Sequence, residues 1–243
     1  MALHSEAGRR LWDRFPLRRR ARLAELLDSG HADQGEVKRN LRDLARLNRL
    51  PGGASASVAA TRTLAAASSA VAIVDVGTGL GDIPLAFARR GWRTVAVDTH
   101  PQVLAAARVE TAREVLVEVV AADGRSLPYP DRAFDVSHTS LLLHHLDPAD
   151  AVTVLREMAR VARHGVVIND LRRGPLSFVV TGVAVTLLGT CRATRVDGLT
   201  SVRRAYTLPE LDALLDEAGL RVLWRSSSWM PRVVTAAVRR TGR

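Results

Sequence analysis

The sequence predicts an α/β fold, a doubly wound and mostly parallel sheet with helices on both faces. Three observations carry the prediction. β-Branched runs alternate with helix-patterned segments from residue 71 to residue 171. A glycine-rich turn follows the first of these runs, and the chain then closes on a helix and two short adjacent strands. Together they give seven strands with an antiparallel last strand, a Rossmann-like arrangement. The 243 residues hold one sizeable core, and 47% hydrophobic with 25% charged side chains is an ordinary globular balance. We expect an N-terminal helical cap over 1–55 and a main domain over 56–243 with a lid insertion at about 172–206.

Each element has its own justification. Residues 35–50 place Val37, Leu41, Leu44, Leu47 and Leu50 on one helical face, with Lys38, Arg39, Arg42 and Arg49 mostly off it. PGGASAS, Pro51 to Ser57, reads as a linker, and an alanine-rich helix over 58–68 follows. VAIVDV (71–76) is a buried strand, succeeded by a helix over 81–90. TVAVD (94–98) is the second strand, and Pro101 opens a helix in whose first turn a missing N–H costs nothing. Strands three to five are 115–123, 133–140 and 165–171, with a helix over 148–163 that sets Val154, Leu155, Met158, Val161 and Ala162 on one face. Thr207 is an N-cap, Pro209 lies in the first turn of its helix and Gly219 ends it. The strands at 221–225 and 232–238 pair antiparallel across a serine-rich turn.

Composition excludes several classes. The single cysteine, Cys191, rules out an intrachain disulfide and any multi-cysteine metal centre, so no metal site is expected and a reducing cytoplasm is the simpler location. The net charge of +10 is unevenly spread: +5 over residues 1–50, −1 over 51–220 and +6 over 221–243. The basic ends flank a neutral body, and aromatic residues are only 4%, unlike the basic, stacking surface of a nucleic-acid enzyme. The longest apolar stretch, Leu176 to Gly189, has 14 residues, against about 20 for a membrane span. It suits a lid or an interfacial helix, so weak contact with a membrane surface is compatible and a transmembrane segment is not expected.

The chemistry concentrates at the strand ends. Val74-Asp75-Val76-Gly77-Thr78-Gly79-Leu80-Gly81 is a strand running into a turn where backbone can approach a ligand closely. The third glycine of the dinucleotide pattern G-x-G-x-x-G would fall at Asp82, so that pattern fails. Asp98 closes the second strand, where a carboxylate can accept both ribose hydroxyls of a nucleoside. Asp123 closes the third, near where an adenine would sit. Three acids at the ends of three successive strands form the rim where such sheets bind ligands.

These segments resemble class I S-adenosylmethionine-dependent methyltransferases. VDVGTGLGDIPLAFARRG, AVDTHPQVLAAAR and AADGRSLPYPDRAFDV are similar to the family's first three motifs, and SHTSLLLHHLD and LREMARVARHGVVINDL to the segments around its fourth and fifth strands. The likeness spans about residues 58–225 and is nearest the ubiquinone- and menaquinone-biosynthesis branch, which methylates small molecules. RNLRDLARLNRL and RVDGLTSVRRAYTLPEL further resemble methyltransferases of bacterial secondary-metabolite gene clusters. The resemblance implies S-adenosylmethionine as cofactor. It implies that Asp75, Gly77, Gly79 and Gly81 hold the methionine part, with Thr78 beside them, and that Asp98 and Thr99 serve the ribose. It implies that Asp123 and Gly124 flank adenine and that Thr139 and Ser140 line the sulfonium side. The family often has an acidic or amide residue in that last segment, where this chain has Ser-His-Thr-Ser.

A phenol or enol acceptor must lose a proton, and histidine is the commonest general base. His145, and after it His144, sit just past the fourth strand, and His138 is a weaker candidate that orients backbone. The lid and the 35–50 helix would enclose an apolar chamber for an aromatic, polyketide or quinone-like acceptor, methylated on oxygen or carbon. Arg203 and Arg204 are read as solvated, with pairing to an acceptor anion as the alternative. Two other functions stay open. An RNA or DNA methyltransferase would fit the pI near 11.3, but the Asn/Asp-Pro-Pro-aromatic motif is missing after the fourth strand. A non-catalytic S-adenosylmethionine-binding protein would use its helical face for protein contacts. The chain is expected to be a monomer or homodimer with no specific nucleic-acid partner.

Overall fold

The computed structural model describes residues 17, 19–21, 33–50, 52–65, 71–226 and 231–240. Most of the basic N-terminal segment, the end of the 58–68 helix and the serine-rich turn expected before the last strand lie outside them. A seven-stranded sheet organises the chain, with strands in the order β3-β2-β1-β4-β5-β7-β6. The strands are β1 (Ala72–Val76), β2 (Arg93–Asp98), β3 (Val117–Ala121), β4 (Phe134–Ser140), β5 (Ala162–Leu171), β6 (Leu220–Arg225) and β7 (Arg232–Arg239). Neighbours pair parallel from β3 across to β5, whereas β7 runs antiparallel to both β5 and β6. The expected sheet is therefore present, with β7 as its one reversed strand.

Among the described residues, eight α-helices surround it or connect its strands. α1 (Gln34–Leu47) and α2 (Ala54–Ala65) precede the sheet, and α3 (Asp82–Ala88) and α4 (Pro101–Thr111) follow β1 and β2. α5 (Pro148–Val161) leads into β5, α6 (Pro175–Leu188) and α7 (Arg192–Arg204) form the insertion after it, and α8 (Leu208–Glu217) precedes β6. Strand side chains alternate between faces. Val74, Val76 and Ile168 pack with Leu155, Met158 and Leu215 on one side, while Ile73, Val136 and Val167 meet Val58, Leu64 and Phe87 on the other. Both faces are covered, which is why these strands read as continuous apolar runs.

α2 starts four residues earlier than the sequence suggested, inside the expected linker. Gly53 is the reason. The Ala54 N–H donates to Asn48 O at 2.8 Å, and a Cβ on Gly53 would lie 2.0 Å from that same oxygen. The stretch is a packed corner, with Ser57 fully buried beneath it. Thr207 caps α8 as expected: its side chain accepts from the Glu210 N–H, and the Glu210 carboxylate accepts from the Thr207 N–H. Strand order reverses between β1, which leads outward to β2, and β4, so a crevice opens at their C-terminal ends.

Candidate active site

The glycine turn after β1 forms one wall of that crevice. Gly77, Gly79 and Gly81 all have positive φ (73°, 57° and 84°), a region that costs other L-residues about 1–2 kcal/mol. Their surroundings separate their roles. A Cβ on Gly81 would lie 2.8 Å from the Thr111 side chain, so this glycine packs α3 against α4. A Cβ on Gly79 meets nothing within 4 Å, so its backbone faces open crevice. The crevice has a volume of about 330 Å³ and is lined by Asp75, Gly77, Thr78, Gly79, Asp98, Thr99, Ser140 and His145, with Leu41, Leu44 and Asn48 from the α1 side.

The three strand-end acids behave differently. Asp98 keeps its carboxylate at the crevice, where Oδ1 accepts from the His100 N–H at 3.0 Å. Burial pushes its carboxyl above the usual carboxylate range, against the pull of the His100 and Gly79 N–H groups. Asp75 is turned inward. Its Oδ1 lies 2.6 Å from His138 Nδ1, and its Oδ2 accepts from the Thr78 hydroxyl at 2.8 Å. Asp123 is half-exposed and engaged by Arg125, whose guanidinium is 2.8 Å from Oδ2. Gly124 packs, since a Cβ there would sit 2.6 Å from Val76, and the buried Thr139 hydroxyl donates to Val76 O at 2.8 Å. The structure thus gathers Gly77, Thr78, Gly79, Asp98, Thr99 and Ser140 around open space. Asp123, Gly124, Thr139 and Gly81 stand outside the crevice lining.

A second cavity of about 310 Å³ adjoins the first. α1 supplies Leu44 and Leu47, α6 supplies Val180, Thr181, Ala184 and Val185, and α7 supplies Thr194, Gly198 and Ser201. Its lining is largely aliphatic, with His144, His145 and Arg232 as the basic groups. Leu44, Leu141 and His145 line both cavities, so this trio marks where the two spaces meet. Leu141 reaches that position with a φ of 55°, in the left-handed region that a leucine seldom adopts.

His144 is buried, with Nδ1 2.6 Å from Asp170 Oδ1 at the end of β5. Burial pushes the Asp170 carboxyl up, but the His144 imidazole and the Leu171 N–H outweigh it and hold it below the usual range. An ionised Asp170 takes the Nδ1 proton as a hydrogen bond, which makes Nε2 the acceptor nitrogen of the ring. The His144 and His145 rings stand 4.3 Å apart between centroids. Their turn is clamped from outside: Arg20 donates to His144 O and Leu146 O, Arg204 to His144 O and His145 O, and the Tyr206 hydroxyl to Leu146 O. Arg204 is therefore buried and structural, which corrects the expectation that it is solvated.

A polar network that sequence reasoning did not find runs under both cavities. Buried Arg232 donates to Asn169 Oδ1 at 3.1 Å, to Asn48 Oδ1 at 2.5 Å and to the Ser140 hydroxyl at 2.9 Å. Burial lowers its guanidinium to about 10, opposed by Asp170 and Asp82. Asn169 reaches Ser57, which lies 2.9 Å from His138 Nε2, and so the network closes on Asp75. His138 bridges strand and helix by its side chain, where it was expected to orient backbone. Asp170 could have been found from the sequence, because it stands near the C-terminal end of β5 as Asp75, Asp98 and Asp123 stand near those of β1 to β3.

Comparison with known proteins places this chain beside methyltransferases. Residues 74–168 match the family model described as a methyltransferase domain. An uncharacterized methyltransferase of Synechocystis is 27% identical over 62% of this chain and 67% of its own length. A demethylmenaquinone methyltransferase of Thermus thermophilus is 36% identical over 38% of this chain and 43% of its own. The chain spans about half the length of a mycobacterial relative, 34% identical over 51% of this chain and 48% of that protein. Among solved structures, human N-acetylserotonin methyltransferase in complex with S-adenosylmethionine superposes with a TM-score of 0.64 at 15% identity, covering 86% of this chain and 57% of that one. A methyltransferase of Aquifex aeolicus gives 0.60 at 19% identity, covering 85% and 99%. The fold is the class I methyltransferase fold, and S-adenosylmethionine is the methyl donor of such a domain.

Proposed function

We propose that this S-adenosylmethionine-dependent methyltransferase transfers the methyl group to an oxygen or carbon of a small, apolar, aromatic, polyketide- or quinone-like acceptor. The observation that carries the reading is the aliphatic chamber joined to the glycine-walled crevice at Leu44, Leu141 and His145. The name of the Thermus relative, a demethylmenaquinone methyltransferase, supports a quinone-type ring without assigning it. The crevice residues fit the cofactor. Gly79 leaves open space for close backbone approach, and Asp98 offers a half-buried carboxylate for a ribose. When bound, the cofactor supplies an electrophilic methyl group.

The chain's own residues supply the rest. Asp98 and Thr99 would hold the ribose, and the backbone from Gly77 to Gly79 would hold the amino-acid end. The α1, α6 and α7 side chains seat the acceptor and exclude water, since positioning is worth about 7–11 kcal/mol of a barrier. His144 takes the acceptor's hydroxyl or enol proton at Nε2, and Asp170 stabilises the imidazolium that forms. His145 stands at the junction and orients the acceptor toward the crevice. Aromatic phenols, reduced naphthoquinones and total RNA, each incubated with methyl-labelled S-adenosylmethionine, test the reading. Label should enter an apolar phenol or quinol. Label confined to RNA, or binding without turnover on any acceptor, overturns it.

A further inference from the structure

α6 is apolar on both sides. Its inner face lines the acceptor chamber through Val180, Thr181, Ala184 and Val185. Its outer face presents Leu176, Val179, Val183 and Leu187 to solvent, exposed by 46%, 58%, 55% and 77%. These four lie at helical spacing, and Val196 of α7 is likewise 55% exposed. A stripe of this kind on a surface helix marks a place where something apolar is met. Fourteen residues are too few to cross a bilayer of about 20-residue thickness, and no described helix is long and apolar enough to span.

Charge identifies the occupant. From residue 172 to residue 196 the sequence carries no acid and four arginines, of which Arg172, Arg192 and Arg195 reach the surface, and the chain as a whole carries +10. Arg172 precedes α6 and Arg192 and Arg195 follow it, so cationic groups bracket the apolar stripe, while Arg173 is buried and paired with Glu210. An apolar helix face bracketed by arginines, too short to span, has the chemistry of a helix lying in the headgroup layer of an anionic bilayer. A second copy of this chain would instead bring arginines of one protomer against arginines of the other across a two-fold contact. We propose that the outer face of α6 docks this protein on anionic lipid surfaces, with the stripe in the acyl boundary and the arginines on the headgroups. The helix that roofs the acceptor chamber then touches the bilayer directly. This gives an acceptor dissolved in lipid a short path to the chamber, a consequence that rests on the function proposed above.

Flotation with vesicles tests the docking without any acceptor. The full chain is mixed with phosphatidylcholine vesicles, with or without about one-third phosphatidylglycerol, at low and at high salt. Binding should need the anionic lipid and weaken with salt. A V183E/L187E variant should bind about tenfold less or weaker, because the apolar contribution scales with the area inserted. Neither residue lines the chamber or the crevice, so its thermal stabilisation by S-adenosylmethionine should match the parent's, which also shows that it is folded. Equal binding of variant and parent overturns the proposal. So does a parent that ignores anionic vesicles, including one that is a dimer which V183E/L187E dissociates. Turnover on a soluble acceptor is read separately, so failure of docking and failure of the proposed reaction are distinguished.

Discussion

At the scale of single residues, Asp98 and His144 are expected to fail in different ways. Replacing Asp98 with alanine removes a charged acceptor, so S-adenosylmethionine affinity should fall by about 1.5–3 kcal/mol. Calorimetric titration checks this, and a variant with normal affinity but a slow chemical step would mean that the ribose lies elsewhere. His144→Gln should lower the maximal rate by roughly 10²–10⁴-fold and leave cofactor affinity within about twofold, because His144 lines the acceptor chamber and not the crevice. The loss should shrink at high pH, where a phenol ionises unaided. Full activity in His144→Gln with loss in His145→Gln would transfer the base to His145. The positions of Asp75, Asp98, Asp123, His144 and His145 were legible because strand ends in a parallel sheet share one edge. Their orientations were not. Nothing local to Asp75 announces that His138, 63 residues away, takes its Oδ1, and Arg125 claims Asp123 by a side-chain rotamer. Arg232 was invisible for the same reason, since its partner Asn48 is 184 residues distant.

Among the elements, the contact between α1 and the α6–α7 turn sets the roof of the chamber. Asp43 of α1 is fully buried there. Its Oδ1 accepts from the Thr190 hydroxyl at 2.9 Å, and its Oδ2 accepts from the Thr190 N–H at 2.7 Å and the Thr194 hydroxyl at 2.9 Å. Asp43→Ala strands these donors in a buried place, and each unsatisfied group costs about 1–3 kcal/mol. The variant should melt at lower temperature and show a raised KM for the acceptor, with cofactor affinity nearly unchanged. A drop in cofactor affinity equal to the rise in KM would show that α1 is coupled to the crevice instead. The elements themselves were readable: the seven strands and the helices after β1, β2 and β4 lie within a few residues of their expected bounds, because period-2 and period-3.6 patterns are carried by the buried faces. α2 was misread at its start because alanine and serine are neutral between turn and helix, and the contact of Gly53 with Asn48 decided the matter.

Across the whole molecule, buried carboxylates shape the response to acid. Asp170 and Asp43 are both held below the ordinary carboxylate range: burial raises each, and their hydrogen bonds, with the neighbouring His144 imidazole for Asp170, overcome it. A depressed carboxylate stabilises the fold fully above its unfolded value, near 3.9 for Asp, and that contribution is lost as pH falls through the folded value. Unfolding temperature should therefore drop steeply below about pH 4, and Asp43→Asn should make that limb shallower. An acid limb identical in the variant would remove Asp43 from the account. The position of β7 bears on how the molecule is made. β7 is inserted between β5 and β6, although it follows both in sequence. Before β7 docks, β5 therefore has one bare edge, β6 has no strand partner and the aliphatic cavity lacks Arg232. Until β7 is in place, the half-built sheet offers its strand edges to any neighbouring chain. Completion of the aliphatic cavity and closure of the sheet edges thus arrive together, with the docking of one strand.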